Sequence, residues 1–349
     1  MKNKTLFFIE LPPPVHGMTY INNIIHDGLK DKENYYFHNV DFSSEVSDIG
    51  KRGFGKIWQN IKLAFGAWKS FFKVMPTNVY SIVSATKFGI LRDFLILIPS
   101  VVFGKRRVLH LHGFTHYDIY KSSKLYRVLF DILASNSKVI VLCEAQKEKT
   151  KEIIGKESFM LYNTLQNDVI TDVKTVDKSN LKLLYISNIS KSKGTIDLLQ
   201  SIKDIDDVSL TVAGSFWTDE DEFRKLCEEI GDKVNFVGFA DEAKKQELLK
   251  SHDIFCIPSR LKEGSPVSII EALAYGLPII GTDKGCIKEM IDKCGYIVDG
   301  TLDEHQMKKA LEVIIQNYES YSINALKNYK NIYNKDLFIK RLEEIICAE

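Results

Sequence analysis

The chain has 349 residues, more than a single hydrophobic core usually organises, so two domains are expected. Hydrophobic residues make up 45% and charged ones 27%, the balance of a globular protein, and a formal net charge of +1 supplies no field that would draw nucleic acid. None of the six cysteines forms a C-x-x-C pair, which argues against a metal knuckle or a redox motif.

In chain order, the first apolar run is Leu6 to Ile9. It is short and meets Glu10 and three prolines, so "TLFFIEL" reads as a strand and not as a signal peptide. "MTYINNIIHDGL" reads as a helix after a Pro/Gly turn, and "VYSIVSA", "RVLHLHG" and "KVIVLCE" as strands. A charged helix follows from Ala145, and "SFMLYN" ends the first series. The longest apolar region, "ILRDFLILIPSVVFG", is interrupted by Arg92, Asp93 and Pro99, so no stretch reaches the roughly 18 apolar residues of a spanning helix.

Thr164 to Asn180 is polar without a sustained period and reads as a linker. A second series follows, with strands at "KLLYISN", "SLTVAGS", "VNFVGF", "DIFCIPS", "PIIGT" and "GYIV" separated by helical patterns, and an all-helical end from about Leu302. Alternation of this kind means parallel βαβ units, so the expected architecture is α/β: two doubly wound, Rossmann-like domains facing a cleft. The expected boundaries are 1–165, 166–325 and a C-terminal helical segment 326–349 that crosses back to the first domain.

The segment "SRLKEGSPVSIIEALAYGLPII" carries two glutamates, Glu263 and Glu271, eight positions apart. Ser265 suits an N-cap, Pro266 the first helical position and Gly276 the C-cap, so a helix is expected from about Pro266 to Tyr275. Gly264 permits close backbone approach, and the free N–H groups of Val267 and Ser268 would form an anion site. By itself this is equally a well-capped helix with an ordinary surface glutamate.

The surrounding residues extend the pattern. "EGSPVSIIEALAYGLPII" closely resembles the E-x7-E motif of the retaining glycosyltransferase family four, built on the GT-B fold. Pro258-Ser259 stand where that family has "PS", Ala274, Gly276 and Pro278 match "A-x-G-x-P", and Gly285 and Glu289 match "G-x-x-E". The likeness covers about Leu181 to Gly300 and is loose in the first half. It implies that the helix N-terminus binds the donor diphosphate, that Glu271 accepts from the ribose hydroxyls, and that Glu263 lies against the donor sugar. A carboxylate suits both places, being acceptor-only and able to take two hydroxyls.

Further matches follow from the same resemblance. Lys193-Gly194 fits the family's second phosphate site, where a compact ammonium would meet the leaving diphosphate. The family's arginine is replaced by Asn188, with Lys191 as a possible substitute. His112 before Gly113 fits the histidine near the donor sugar, and Gly17 weakly fits a glycine-rich loop opening the first helix. Asn163 resembles a structural turn at the domain boundary. His110 and His112 share a strand face, but no carboxylate or thiol stands nearby, so no metal site is expected. Asp204-Ile205-Asp206 and Asp219-Glu220-Asp221 read as solvated acidic runs.

From Ile49 to Arg92 there is no acidic residue. A helix expected at 53–73 places Phe54, Ile57, Trp58, Ile61, Phe65, Trp68 and Phe72 within one arc, with Lys56, Lys62 and Lys69 beside it. Most such stripes pack on their own domain, yet aromatic residues next to lysines with no acids also compose an interfacial helix.

The functional expectation is a retaining, metal-independent hexosyltransferase without a cofactor. Its donor would be a sugar nucleotide, UDP-linked, and its acceptor a lipid-linked glycan or saccharide in bacterial O-antigen or capsule assembly. It would be cytoplasmic, peripheral on the anionic inner face of the membrane, and would not bind nucleic acid. The alternatives are a GT-B sugar-nucleotide epimerase and a non-catalytic GT-B partner subunit.

Overall fold

A computed structural model describes residues 3–13, 17–40, 54–167, 169, 171–177 and 179–348, with the backbone alone for 54–57. The chain divides into two compact units, Met1–Tyr162 with Lys335–Glu349, and Asn163–Asn334.

In the first unit the elements are β1 (Thr5–Ile9), α1 (Gly17–Leu29), β2 (Tyr35–Asn39), α2 (Phe54–Val74), β3 (Asn78–Val83), α3 (Lys87–Val102), β4 (Arg106–Leu111), α4 (Thr115–Ser122), α5 (Lys124–Ala134), β5 (Ser137–Val141), α6 (Glu144–Lys149) and β6 (Ser158–Met160). The strands form a parallel sheet in the order β2-β1-β3-β4-β5-β6. The central strand β1 is buried along its whole length, with Leu6 to Ile9 an unbroken apolar run, because both faces of the sheet are covered. The edge strand β2, "YYFHN", is only partly buried and lacks any alternation, so it was invisible in the sequence pattern.

The second unit contains β7 (Leu181–Ile186), α7 (Thr195–Ile202), β8 (Val208–Ala213), α8 (Glu220–Ile230), β9 (Val234–Gly238), α9 (Glu242–Ser251), β10 (Ile254–Ile257), α10 (Val267–Ala274), β11 (Ile279–Thr282), α11 (Ile287–Met290), β12 (Gly295–Val298) and α12 (Glu304–Asn328). Its parallel sheet runs β12-β11-β10-β7-β8-β9. Numbered within the unit this is 6-5-4-1-2-3, the doubly wound order, and its direction reverses between β7 and β10. Those two strands pair directly, Ile254 with Leu183 and Phe255 with Leu184. Thr164 to Asn180 forms no helix or strand among its described residues. The last helix, α13 (Lys335–Cys347), belongs to the first unit, where a Cβ at Gly28 of α1 would run into Ile339.

Candidate functional site

Loops at the carboxyl ends of β7 and β10 meet because the strand order reverses there. After β7 the chain makes a single 3-10 turn, Lys191–Lys193, capped by Ser190 Oγ, which accepts from Lys193 N. Gly194 then takes φ 77°, and a Cβ there would collide with the carbonyl oxygen of Pro258 at the end of β10. Glycine is therefore required for the turn to lie this close to the neighbouring strand.

The contact sets the chemistry. Lys193 Nζ lies 2.7 Å from Glu263 Oε1, with the two side chains 14% and 15% exposed. Ser259 Oγ donates to the same oxygen at 2.6 Å. The Trp217 ring, from the loop after β8, stands 5.4 Å from the Lys193 ammonium. Arg260 ties the two loops together: its N–H donates to Ser192 O at 3.0 Å, and its guanidinium grips Asp197 at 2.7 and 2.5 Å. Gly285, at φ 64°, faces the Glu263 backbone so closely that any Cβ would strike it, and Cys286 N donates to Glu263 O at 3.0 Å.

Helix α10 opens beside this cluster. The expected Ser265 cap is corrected: Pro266 occupies the N-cap position, with φ −58° and ψ 120°, and makes no side-chain cap. The helix therefore begins at Val267, one residue later than the sequence suggested, because a proline in an extended conformation cannot supply the first helical residue. Ser265 Oγ is left buried without a hydrogen-bond partner. Asn163 Nδ2 donates to Ser265 O at 2.8 Å and holds this strand-to-helix turn. Gly264, Pro266, Val267 and Ser268 are half-buried, and the N–H groups of Val267 and Ser268 find no acceptor among the described residues. An orphan hydroxyl, free amides and a nearby ammonium together can hold an anion.

Glu271 is 7% exposed and ion-paired with Lys245 of α9, which also reaches Glu242 at 3.0 Å. Burial raises the Glu271 carboxyl pKa and Lys245 opposes the rise. Asn188 is half-buried, and its side-chain amide is without a partner among the described residues. Lys191 does not stand in for the missing arginine in this arrangement: it lies 3.6 Å from Glu222 on α8, and its N–H donates to Asp219.

The remaining predicted residues lie in the first unit. Gly17 opens α1 with open space around it. His112 follows β4, and burial lowers its pKa to about 4, with Nε2 buried and unpaired. His110 bonds Tyr80 and His116 bonds Tyr126, so both are structural. Among the described residues no group of three or more His, Cys, Asp or Glu side chains is disposed to hold a metal ion. On α2, Ala64, Ala67 and Phe71 face the core, while Trp58 is 72% and Phe65 62% exposed. Trp68 departs from the expected outward stripe: it is half-buried, and its indole N–H donates to Leu95 O at 2.9 Å. Lys62 and Lys69 are exposed, and the Lys56 side chain lies outside the described residues.

Lys245, Arg260 and Trp217 escaped sequence reasoning. Each lies on an unremarkable polar helix or loop, and only the strand order brings it to the site.

Residues 167–331, nearly the whole second unit, match the family model of glycosyl transferases group 1. The full chain superposes on the Anabaena protein HepE in complex with UDP, with a TM-score of 0.74, 16% identity, and 99% of this chain and 100% of that one covered. Together the matches show the GT-B fold and a likeness of the second unit to glycosyl transferases group 1.

Among curated relatives, an uncharacterized glycosyltransferase of Haemophilus influenzae is 26% identical over 245 residues, 66% of either chain. A phosphatidyl-myo-inositol mannosyltransferase of Mycobacterium leprae is 26% identical over 206 residues, 54% of either chain. The matches thus span between about half and two thirds of those relatives' own lengths.

Proposed function

We propose that the protein is a retaining, metal-independent hexosyltransferase that moves a sugar from a UDP-linked donor to a lipid-linked glycan or saccharide acceptor in bacterial O-antigen or capsule assembly. The observation that carries this reading is the turn into α10: Glu263 holds Lys193 at 2.7 Å, and in the residues that follow it the Ser265 hydroxyl and the amides of Val267 and Ser268 have no partner among the described residues. HepE, similar in fold, is described in complex with UDP.

In this reading the diphosphate lies against the α10 N-terminus and draws the Lys193 ammonium to itself. Glu263, relieved of its ion pair, accepts hydrogen bonds from the donor sugar and orients its anomeric carbon. Asn188 donates its amide to a phosphate oxygen, and Glu271 accepts from the ribose. The bond between the anomeric carbon and the phosphate oxygen breaks, and the acceptor oxygen bonds on the same face. The acceptor proton passes to the departing diphosphate, whose charge Lys193 and the helix amides stabilise.

The α2 surface suits an acceptor carried by a membrane. Trp58 and Phe65, with Gln59, Ile61 and Lys62, line a groove of about 400 Å³. Phe72, Phe88, Val102 and Phe103 are also exposed nearby in the same unit, alongside Lys69 and Lys73. Aromatic side chains mixed with lysines match an anionic bilayer surface. Among the described residues no helix is long and apolar enough to cross a membrane; in this reading the protein attaches peripherally, through α2, to the inner face of the cytoplasmic membrane.

Incubation with UDP-, GDP- and dTDP-sugars tests the reaction. The expected result is nucleoside diphosphate release that falls sharply in Glu263→Ala; undiminished release in that variant, or an epimerised sugar nucleotide in place of release, overturns the assignment.

A further inference from the structure

Trp217 is 58% exposed, yet its backbone is fixed from both sides. Ile189 N donates to Ser215 O and Trp217 N donates to Ile189 O, both at 2.9 Å, so the loop after β8 is zipped to the loop after β7 by a short parallel bridge. One residue earlier, the Phe216 ring packs on Phe223 and Phe236. Two residues later, Asp219 takes φ 64° and accepts from Lys191 N at 2.8 Å. Phe216 already anchors this loop in the core, and an indole left in solvent adds little to that. What the indole does touch is Lys193, whose ammonium stands 5.4 Å from the ring centroid, within the range over which a ring face attracts a cation.

The turn after β7 offers an anion little other charge. Asn188 is neutral, and Lys191 lies 3.6 Å from Glu222. Lys193 has two partners among the described residues, the Glu263 carboxylate and the Trp217 ring. They differ in kind. The ion pair is short and is lost as soon as the ammonium moves away from Oε1. The attraction of a ring face extends over several ångströms and leaves the N–H donors free, so the ammonium can shift across the indole and still be held. Without the ring, a flexible four-carbon stem released from Glu263 would spread over many rotamers, and ordering it again would oppose its capture by a phosphate.

We infer that Trp217 is a positioning residue that keeps the Lys193 ammonium in the site while it passes from Glu263 to the departing diphosphate. The inference rests on the proposed reaction and adds to it the group that governs the exchange. Trp217 acts through Lys193 and touches no reacting atom.

The test uses the ring as its own reporter. Of the three tryptophans, Trp58, Trp68 and Trp217, only Trp217 lies in the second unit. The part of an emission change that Trp217→Phe abolishes therefore belongs to this ring. Saturating UDP, and separately inorganic pyrophosphate, should shift Trp217 emission as the ammonium moves, and in Lys193→Met, saturated as judged by calorimetry, the shift should be lost. In turnover with the preferred donor, Trp217→Leu should lower kcat about fivefold and change KM less than about twofold, because the ring holds the cation for the charge that develops as the bond breaks. Trp217→Phe keeps a ring face and should lose no more than about twofold. In the Lys193→Met background, Trp217→Leu should cost nothing further. Equal losses in the leucine and phenylalanine variants, a full loss in the Lys193→Met background, or an emission shift retained without Lys193 each overturn the role of Trp217. Wild-type emission unmoved by saturating UDP overturns the exchange. UDP binding without turnover of any sugar nucleotide overturns the proposed reaction instead, and the emission shift then still decides whether Trp217 follows Lys193; failure of UDP and pyrophosphate to bind at all overturns both.

Discussion

Lys193 and Glu263 stand 70 positions apart in the chain, yet Nζ of one lies 2.7 Å from Oε1 of the other. Both follow strands that are neighbours only because the sheet reverses its order between β7 and β10. The pair sets a positive charge near the turn into α10 and covers it with a carboxylate. Neither side chain is fully buried, so the pair can open without the full desolvation penalty of a core salt bridge.

Removal of either partner should be felt in catalysis more than in stability. Lys193→Met and Glu263→Gln are each expected to lower nucleotide release from the preferred donor by about 10²-fold or more. The double variant should be scarcely worse than the poorer single one, because the two act as a unit. Steady-state assays of UDP release across the four proteins measure this coupling; strictly additive losses would separate the two roles.

Gly285 and Gly17 provide a contrast in what a methyl group does. Gly285→Ala must displace the Glu263 backbone at a positive φ and should cost about 1–3 kcal/mol, with turnover reduced as well. Gly17→Ala enters open space at the first position of α1 and should be neutral or stabilising by a few tenths of a kcal/mol, roughly the helix preference of alanine. Urea denaturation of the two variants decides between these outcomes.

Acid should weaken the first unit through its buried histidines. Burial lowers the pKa of His112 to about 4 and that of His116 to about 3, whereas an unfolded histidine titrates near 6.5. Below that pH the unfolded chain binds protons that the native state refuses. The stabilisation is complete above about pH 6.5 and is lost as the pH falls toward 4 and 3, with a slope of about 1.4 kcal/mol per pH unit for each histidine. Urea midpoints between pH 7.5 and 5 should fall accordingly, and His116→Gln should flatten the slope by about one proton.

Membrane attachment should depend on exposed groups that the core does not use. Trp58→Ser with Phe65→Ser, or Lys62→Glu with Lys69→Glu, should lower flotation with anionic liposomes at least about tenfold, while far-UV circular dichroism stays unchanged. Raising the salt should mimic the lysine changes alone. Wild-type flotation that survives both double variants would remove α2 from the interface.

Strands of both units were legible because a sheet covered on both faces favours apolar runs, as in Leu6 to Ile9 and Ile254 to Ile257. The edge strand β2 was not, since Tyr35 to Asn39 carries no such demand. Helix α10 was legible from Gly264, Pro266 and Gly276, but its first residue was displaced by one. A Ser-Pro pair is compatible both with a capped helix and with an extended step into one, and only the backbone conformation chooses. The outward stripe of α2 was readable in Trp58 and Phe65 but not in Trp68, whose turn toward Leu95 depends on where α3 lies.

By itself, then, the sequence determined what is local: the alternation that makes two parallel α/β sheets, the glycines that allow close turns, and the residue types able to hold a phosphate or a sugar. Tertiary structure decided which of them meet. Strand order brought Lys193 to Glu263, with Trp217 beside Lys193, Arg260 on Asp197 and Lys245 on Glu271, none of which carried a signal of its own. The physical reason is that periodicity reports which face of an element is buried, whereas charge pairing depends on distances across the sheet, and those are set by the winding of the whole unit.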